Sequence, residues 1–366
     1  MAQSSEHKLT DFIRHSDRRP LWKQLLSASA TRVDDISATF EVKRAEIQRV
    51  IERYPMRVNS YYLGLIRQKN DAIYRQCIPS LEEVISEEGL DDPLNEEAMS
   101  PVPGLTHRYP DRVLFLVSSY CAVYCRFCNR KRKVGRRSMV TPQTIKDGLE
   151  YIRNHSEIRD VLLSGGDPLM LDNKDLYDIL NELRSMGHVE IIRIGTRAPC
   201  TLPQRVTSEL AAMLSNFHPL YINTHFNHPD EITPESSLAC RTLADYGIPL
   251  GCQTVLLKGV NDDPVIIKTL MQKLLTIRVR PYYLFQADLA KGTSHFWTPL
   301  DKGLEIMAGL YGHTSGLCAP HFAIDLPGGA GKVPIIPEHI VGKDDAHLLI
   351  RDYQGQVHRY PLMRRK

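Results

Sequence analysis

The sequence lacks the long apolar run, about 20 residues, that a membrane-spanning helix requires. Its N-terminal stretch, MAQSSEHKLTDFIRHSDRRP, also lacks the apolar core of a signal peptide. A strong net charge is missing too, because 46 Lys and Arg residues nearly balance 43 Asp and Glu residues, for a net charge of +3. These absences predict a cytoplasmic protein that enters no membrane and has no overall field to draw it onto nucleic acid.

The cysteines do not form the regularly spaced set that a disulfide framework needs. Eight are spread along the chain, at positions 77, 121, 125, 128, 200, 240, 252 and 318. In a reducing compartment this pattern predicts one metal site, at the clustered Cys121, Cys125 and Cys128. The other five cysteines are expected to be small buried residues of the core.

At 366 residues and 42% hydrophobic, the chain is long enough for one large α/β unit with extensions or for two or three domains. Residues 1–104 carry a helical, charged pattern, as in LWKQLLSA and VKRAEIQRVIERYP. From Arg112 onward, short apolar runs alternate with amphipathic helices. We therefore predict a helical N-terminal region (1–104), an α/β domain (105–297) and a C-terminal segment (298–366).

Six apolar runs, each followed by an amphipathic helical pattern, define the α/β domain. They are VLFLV (113–117), VLLS (161–164), IIRIGT (191–196), YINTHF (221–226), PLGCQTVLL (249–257) and YYLFQ (282–286). Repeated strand-helix units of this kind predict a parallel sheet wound by right-handed crossovers, here an open or partial α/β barrel.

Chemistry in such barrels collects at the carboxyl ends of the strands, and distinctive residues of this sequence lie there. The first strand precedes the three clustered cysteines. The later strand ends supply Ser164, Gly165, Gly166 and Asp167 (second strand), His225 (fourth), Gln253 (fifth) and Asp288 (just past the sixth). We therefore take these residues as candidates for one functional site.

The spacing CxxxCxxC from Cys121 to Cys128 favours an iron-sulfur cluster over zinc. A structural zinc site uses four ligands, usually as two pairs, and this chain has no companion pair. Three thiolates suit a four-iron cluster in which one iron stays open to another ligand. On a loop after the first strand of a partial barrel, the motif resembles that of the radical S-adenosylmethionine (SAM) superfamily.

That resemblance implies a [4Fe-4S] cluster held by the three cysteines, with SAM bound to the open iron. It also implies that Phe127 lies against the adenine of SAM. The glycine-rich turn SGGDPL (164–169) would approach the methionine amino group with its bare backbone. His225 and Gln253 are further candidates for contacts with this cofactor.

The segment DLPGGAGKVPI (325–335) is a second candidate site. It is not a phosphate-binding P-loop, because Leu326 and Val333 stand where that motif requires Gly and Ser or Thr. A flexible glycine-rich loop that presents one lysine suits a Schiff base, for which Lys332 must move toward and away from an aldehyde. A plain surface loop fits this segment equally well.

Several segments together resemble the lysine 2,3-aminomutase family, in the same order, from about His107 to about Tyr353. They are CxxxCxxC followed by NRKRKVG, then SGGDPL, NTHFNHP, QTVLLKGVND, ADLAKGTSHF, GHTSG and PGGAGKVP. The resemblance implies an isomerase that converts L-lysine to β-lysine (3,6-diaminohexanoate) by radical 1,2-amino migration. Such an enzyme uses a 5′-deoxyadenosyl radical and pyridoxal 5′-phosphate (PLP), which forms a Schiff base with the substrate.

The same resemblance implies roles for individual residues. Lys332 would carry the PLP, and its phosphate would be surrounded by arginines and a tyrosine that supply charged and polar donors, namely Arg108, Tyr109 and Arg112. Arg130 would bind the substrate α-carboxylate, while Asp288 and Asp325 would bind the side-chain ammonium. Relatives that act on glutamate carry Lys and Asn at those last two positions, so the two acids favour a cationic substrate.

The partners implied by the resemblance are the amino acid substrate, an electron donor such as flavodoxin or ferredoxin, and further copies of the chain in a homo-oligomer.

Two alternative functions stay open. One is a 2,3-aminomutase that acts on another amino acid, such as arginine or glutamate. The other starts from the basic run, since seven of the twelve residues from Arg126 to Arg137 are Lys or Arg. Such a run is usually a solvated or nucleic-acid-binding surface, so a non-enzymatic zinc or nucleic-acid-binding module is an alternative of a different class.

Overall fold

The structure, a computed structural model, describes residues 19–362. Short helices come first along the chain, followed by a nine-stranded sheet with helices between its strands and then a three-stranded sheet. Among the described residues, no helix is both long enough and apolar enough to cross a membrane.

The N-terminal region is helical over residues 21–85, as its sequence pattern predicts, while residues 1–18 of the predicted region lie outside the described residues. Its helices are α1 (Leu21–Ser27), α2 (Val33–Ser37), α3 (Arg44–Arg53), α4 (Ser60–Leu63), α5 (Ala72–Cys77) and α6 (Glu82–Ile85). The side chains of Asn59 and Asp71 accept hydrogen bonds from the first backbone N–H groups of α4 and α5, which a helix leaves unpaired. Trp22, Tyr62 and Ile73 are buried in the same hydrophobic core as the sheet, so this region packs against the barrel.

The barrel is a nearly closed, mostly parallel sheet. Its strands are β1 (Leu105–Tyr109), β2 (Arg112–Ser118), β3 (Asp160–Gly165), β4 (Ile191–Gly195), β5 (Leu220–Thr224), β6 (Leu250–Leu256), β7 (Arg280–Gln286), β8 (His321–Leu326) and β9 (Gly331–Pro334). They pair in chain order, with β2 to β8 parallel and with β1 and β9 antiparallel at the two edges. The six predicted strands correspond to β2–β7, so the predicted partial α/β barrel is confirmed. Beyond these, β8 and β9 continue the sheet past residue 297.

Side chains alternate between the two faces of each strand. In β6, Leu250, Cys252, Thr254 and Leu256 are buried, while the intervening residues are partly exposed and line a cavity inside the barrel. The interior of the barrel is therefore hollow, and its inward-facing residues are available to ligands.

The helices that connect the strands cover the outer face of the barrel. They are α7 (Pro142–Arg153), α8 (Asn173–Arg184), α9 (Ala198–Thr201), α10 (Ser208–Ser215), α11 (Pro234–Asp245), α12 (Pro264–Thr276) and α13 (Leu300–Ala308). Three of them begin with a capping Thr or Asp followed by Pro, which lacks the N–H that a helix start leaves unpaired. Short 3₁₀ segments occupy Arg137–Met139, Pro168–Met170, Pro203–Arg205, Pro229–Glu231, Ser294–Phe296, Gly316–Cys318 and Pro327–Gly329.

The C-terminal part of the chain forms a separate antiparallel sheet that the sequence analysis did not predict. Its strands are β10 (Ile340–Lys343), β11 (His347–Arg351) and β12 (Val357–Pro361). Every residue of β12 is exposed, whereas every residue of β2 and β3 in the barrel is buried or partly buried. This sheet therefore contributes little to the core.

Candidate active site

A cavity of about 1200 Å³ runs through the barrel. It reaches from the carboxyl ends of the strands, near Asp288, to their amino ends, near Arg280. A site for one small molecule usually measures roughly 300–1,000 Å³, so this cavity has room for more than one ligand. Every candidate site residue taken from the sequence lines it.

The three clustered cysteines lie on a loop after β2, which we call the cysteine loop (residues 121–133). Cys121, Cys125 and Cys128 are free and partly buried on the cavity wall. The other five cysteines are free and buried, which confirms that they are core residues. The cysteine loop is thus the place where thiols meet the cavity.

The chemistry of this loop fits an iron-sulfur cluster. Burial raises the pKa of the Cys121 thiol, and it raises that of Cys128 to about 11, so both must lose a proton when iron binds. In residues 19–362 no three His, Cys, Asp or Glu side chains converge as ligands of one metal ion. A four-iron cluster bonds each cysteine to a different iron, which requires a wider spacing of the three sulfurs.

The SGGD turn packs directly against the start of the cysteine loop. A Cβ atom on Gly165, whose φ is +132°, would lie 2.3 Å from the carbonyl oxygen of Ser118, and one on Gly166 would lie 2.4 Å from that of Tyr120. Only glycine fits so close to another backbone. The carboxylate of Asp167 accepts hydrogen bonds from Thr196 Oγ1, the Arg197 backbone and the Leu169 backbone, at 2.7, 2.8 and 2.9 Å. The turn therefore joins the cysteine loop to the end of β4.

Arg197, just after β4, is a site residue that the sequence analysis missed. Its Nη1 lies 2.8 Å from Cys125 Sγ, and its Nη2 donates to Glu231 and Gln76 at 2.6 Å each. Glu231 is fully buried and also accepts from the Tyr62 hydroxyl at 2.6 Å. Arg197 Nε is buried without a partner among the described residues, so it can donate to a bound group. The position at a strand end could have indicated Arg197, but nothing local in the sequence predicts its burial.

Aromatic rings form the wall beside the last cysteine. The Phe127 ring lies 5.6 Å from the His225 ring, 6.2 Å from the Phe296 ring and 5.3 Å from the Arg197 guanidinium. Burial and the nearby Arg197 charge lower the pKa of His225 to about 3, so its imidazole is neutral near pH 7. Phe127 and the neutral His225 thus both line the cavity with aromatic rings, which suit a stacked heterocycle.

The basic run does not form a solvated patch, because acids from residues 83–97 pair with most of it. The pairs are Arg126 and Lys131 with Glu83, Arg130 with Glu96, Arg132 with Asp92 and Glu97, and Lys133 with Glu97. A nucleic-acid-binding surface needs its cations free for phosphate. The alternative of a nucleic-acid-binding module is therefore wrong for this run, and the sequence could not show it because the acids lie 30 to 50 residues upstream.

Glu83 is the centre of the most buried of these pairings. Its carboxylate is 0% exposed and contacts Arg126 at 2.6 Å and Lys131 at 2.8 Å. Burial alone would raise a carboxyl pKa, but the two cations bring that of Glu83 down to about 2. Lys131 also lies over the Tyr54 ring and donates to the carbonyl of Gly292, so the base of the cysteine loop is fixed at several points.

Arg130 faces the cavity with one side of its guanidinium already paired. Its Nε and Nη2 contact the Glu96 carboxylate at 2.6–3.0 Å, and its Nη1 points to Ser164 Oγ at 3.4 Å. The fork geometry of arginine permits this because it carries five N–H donors. Glu96 therefore orients Arg130 and leaves Nη1 on the cavity side.

Lys332 lies on a strand rather than in a flexible loop, which corrects the sequence interpretation. The glycine-rich segment forms the turn between β8 and β9, and Asp325 and Lys332 are direct partners across this antiparallel pair. Lys332 Nζ is 2.8 Å from the Asp325 carboxylate and 5.4 Å from the Phe285 ring centre. Gly329 and Gly331 have φ values of +83° and +102°, a region that favours glycine. The lysine is thus held at a defined place on the cavity wall.

The residues around Lys332 fit a phosphorylated aldehyde cofactor such as PLP. The Tyr109 hydroxyl accepts a hydrogen bond from the Lys332 backbone N–H at 3.0 Å, and the Arg112 guanidinium lies 3.9 Å from the centre of the Tyr109 ring. Arg108 Nη1 lies 3.4 Å from Asp325, and its Nε is buried with no partner in the described part of the chain. A phosphate oxygen would satisfy this unpaired buried donor of Arg108.

Asp288 and Asp325 both line the cavity but have different partners. Asp325 pairs with two cations, Arg108 and Lys332. Asp288 has no ion pair among the described residues, and Asn129 donates to its carboxylate at 2.7 Å. Burial and the charge of Asp325 raise the pKa of Asp288 to about 6. The cavity therefore contains an acid that still lacks a cationic partner.

Two family models match the chain. The model described as the radical SAM superfamily matches residues 115–268, which span β2 to the first part of α12. The model described as lysine-2,3-aminomutase matches residues 307–364, which include the β8–β9 hairpin and the C-terminal sheet. The two matches therefore cover the cysteine loop and Lys332, respectively.

Curated relatives match most of the chain. An L-lysine 2,3-aminomutase of Methanococcus maripaludis is 50% identical over 93% of this chain and 81% of its own length. The L-lysine 2,3-aminomutase of Clostridium subterminale is 46% identical over 93% of this chain and 83% of its own length. A glutamate 2,3-aminomutase of Clostridioides difficile is 43% identical, over 92% of this chain and 81% of its own length. Relatives with two different substrates thus lie at similar distances from this chain.

Proposed function

We propose that this chain, which belongs to the 2,3-aminomutase family of radical SAM isomerases, converts L-lysine to β-lysine. The observation that carries the choice of lysine is the pair of acids, because Asp288 is buried near Asp325 and has no cation of its own. A buried carboxylate is costly unless it is paired, so the cavity favours a ligand that brings a positive charge. The ammonium at the end of the lysine side chain supplies that charge.

Membership of the radical SAM family implies a [4Fe-4S] cluster and SAM. We infer that Cys121, Cys125 and Cys128 hold the cluster, and that Phe127 and the SGGD turn bind SAM beside it. When bound, these groups would supply a 5′-deoxyadenosyl radical for reversible removal of a hydrogen atom from the substrate β-carbon. The chain itself positions the three thiols on the wall of the barrel cavity.

We further infer that Lys332 binds PLP and that Arg108, Tyr109 and Arg112 surround its phosphate. When bound, PLP would supply an aldehyde that can hold the migrating amino group. Arginines suit the phosphate because they stay charged and donate as a fork. Asp325 faces Lys332 on the paired strand and accepts from its ammonium, so it keeps Nζ on the cavity side.

The substrate lies, in this proposal, between Arg130 and the two acids. Arg130 Nη1 is the donor for the α-carboxylate, and Glu96 holds the guanidinium in that orientation. Asp288 and Asp325 accept from the distal ammonium at the other end of the substrate. The reaction is an isomerisation, so the substrate loses no atoms and needs no second substrate.

Three further features belong to this proposal. We expect a cytoplasmic enzyme, because free thiols and an iron-sulfur cluster suit a reducing compartment. We expect its electron to come from a small redox protein such as flavodoxin or ferredoxin. A homo-oligomer is also expected, and light scattering of the purified protein tests it.

Glutamate is the second candidate substrate, because a glutamate 2,3-aminomutase is 43% identical to this chain. The side-chain carboxylate of glutamate would lie next to the uncompensated Asp288 carboxylate, and two neighbouring negative charges repel each other. The test is anaerobic reconstitution with iron, sulfide, SAM, PLP and a reductant, followed by mass spectrometry of the products. We expect β-lysine from L-lysine. Formation of β-glutamate without β-lysine would contradict the proposal.

A further inference from the structure

Asn129, the residue after the last cysteine of the motif, connects the cysteine loop to the part of the cavity that carries Asp288 and Asp325, which we call the acid end. It lines the cavity, and its Nδ2 donates to Asp288 Oδ2 at 2.7 Å. The two residues are 159 positions apart in sequence. The contact therefore depends on the barrel, which brings the loop after β2 next to the segment after β7.

The backbone of Asp288 is fixed independently of Asn129. Its carbonyl oxygen accepts hydrogen bonds from the Ala290 N–H at 2.8 Å and from Trp297 Nε1 at 3.2 Å. The side-chain carboxylate, in contrast, has Asn129 as its one hydrogen-bond donor among the described residues. Changing Asn129 should thus release the carboxylate while leaving the backbone in place.

The charged groups that face Asp288 come from three other parts of the barrel. They are Asp325 on β8, which opposes its ionisation, and Lys332 on β9 and Arg130 on the cysteine loop, which favour it. Lys332 and Arg130 are already engaged with Asp325 and Glu96. Asn129 is therefore the neighbour whose donor is directed to Asp288, and a hydrogen bond to a carboxylate stabilises its charged form.

We propose that Asn129 is a positioning residue that keeps the Asp288 carboxylate ionised and turned toward the substrate, so that the cationic side chain of the substrate binds near neutral pH. This inference rests on the proposed function, because it requires a substrate with a distal ammonium. It adds a specificity-determining role to a residue beside the cluster ligands.

The pH dependence follows from the direction of each contribution. The pKa of Asp288 is raised to about 6, so its carboxylate is ionised above that pH, and affinity for a cation falls as the pH drops through 6. Without the Asn129 donor the pKa rises further. Loss of a hydrogen bond to a charged group should move this fall in affinity by roughly one pH unit or more.

The test is the pH dependence of L-lysine binding to the enzyme loaded with cluster, SAM and PLP, without a reductant, by titration calorimetry. Asn129→Ala removes the donor, Asn129→Asp adds a like charge, and Asn129→Gln restores an amide. Gln143→Ala is the matched control, because Gln143 donates to Asp147 at 2.6 Å on the exposed surface of α7. Iron and sulfide content shows whether each variant holds the cluster.

In the parent and in Gln143→Ala we expect lysine affinity to fall below about pH 6. In Asn129→Ala this fall should begin about one pH unit higher, the shift should be larger in Asn129→Asp, and Asn129→Gln should reverse part of it. Parallel assays should show a raised KM at pH 7 with a smaller change in kcat. An unshifted pH dependence in Asn129→Ala and Asn129→Asp overturns the role of Asn129 alone. Absence of lysine binding to the parent overturns the proposed function instead.

Discussion

Buried charges are paired with opposite charges at the base of the cysteine loop, whereas at the acid end of the cavity the charge of Asp288 is not. Around the loop, the buried Arg126 and Lys131 share the Glu83 carboxylate within 2.6–2.8 Å. At the acid end, Asp288 is buried beside another carboxylate and receives one amide hydrogen bond. In the proposed function, the fully paired charges around Glu83 serve the fold, whereas the uncompensated Asp288 marks the place of a ligand.

The largest effect is expected at Lys332, which lies at the acid end but makes a covalent bond in the proposed function. Lys332→Ala should abolish the isomerisation and the borohydride-reducible PLP adduct, because no other side chain replaces Nζ. Its side chain is 34% exposed and Asp325 keeps Arg108 as an ion-pair partner, so stability should change little. Peptide mapping of the reduced protein locates the adduct. An adduct on a different lysine would contradict the assignment.

Glu83 tests the compensated side of the comparison. Glu83→Gln leaves Arg126 and Lys131 buried without a counter-charge, which should lower the free energy of unfolding by about 3–5 kcal/mol. The pKa of Glu83 is lowered to about 2 from an ordinary value of 4.5, so its contribution is complete above pH 4.5 and lost as the pH falls toward 2. Denaturant unfolding at pH 7 and pH 3 measures both effects. An unchanged midpoint in the variant would remove Glu83 from the structural account.

Asp288 tests the uncompensated side. Truncating one partner of a buried charge pair costs about 2–5 kcal/mol, so Asp288→Asn should lower kcat/KM for lysine by roughly 30-fold or more, and the double change to Asn should lower it further. Stability at pH 7 should not fall in Asp288→Asn. The pKa of Asp288 is raised, so its ionisation destabilises the fold as the pH rises from about 4 to 6, and Asn removes that penalty.

The two readouts must separate for the comparison to hold. Glu83→Gln should lose stability, while Asp288→Asn should lose lysine turnover and keep its stability. Lysine turnover that survives the double change at Asp288 and Asp325 would show that the acids do not select the substrate.

The smallest effect is expected for an ion pair on the surface. Arg153 and Glu182 lie 2.6 Å apart, but about half of each side chain is exposed. Water already stabilises both charges, so Glu182→Gln should not measurably shift the unfolding midpoint. A shift as large as that of Glu83→Gln would mean that burial does not determine how much an ion pair contributes to stability.

The sequence predicted the barrel well because its strands carry local signals. Apolar runs such as VLFLV, followed by amphipathic helices, indicate buried parallel strands, and all six such runs form β2–β7. The cysteine spacing and the strand-end rule brought the candidate residues to one cavity. Each of these features is visible within a few consecutive residues, so the sequence alone shows it.

The missed features depend on contacts between distant parts of the chain. Glu83, Arg197 and Asn129 gain their roles from partners 43, 72 and 159 positions away. The basic run looked solvated because its acids come from a separate helical region. The C-terminal sheet escaped prediction because strands such as His347–Arg351 are short and only partly buried, so their apolar pattern is weak.

The most direct measurement is a competition assay in which L-lysine and L-glutamate, at equal concentrations, are given together to one sample of reconstituted enzyme. Isotope-labelled substrates and mass spectrometry report the two β-amino acids formed in the same tube at pH 7.5. The uncompensated Asp288 predicts that β-lysine greatly exceeds β-glutamate. If β-glutamate predominates, the cavity does not select a cation, and lysine is not the substrate of this enzyme.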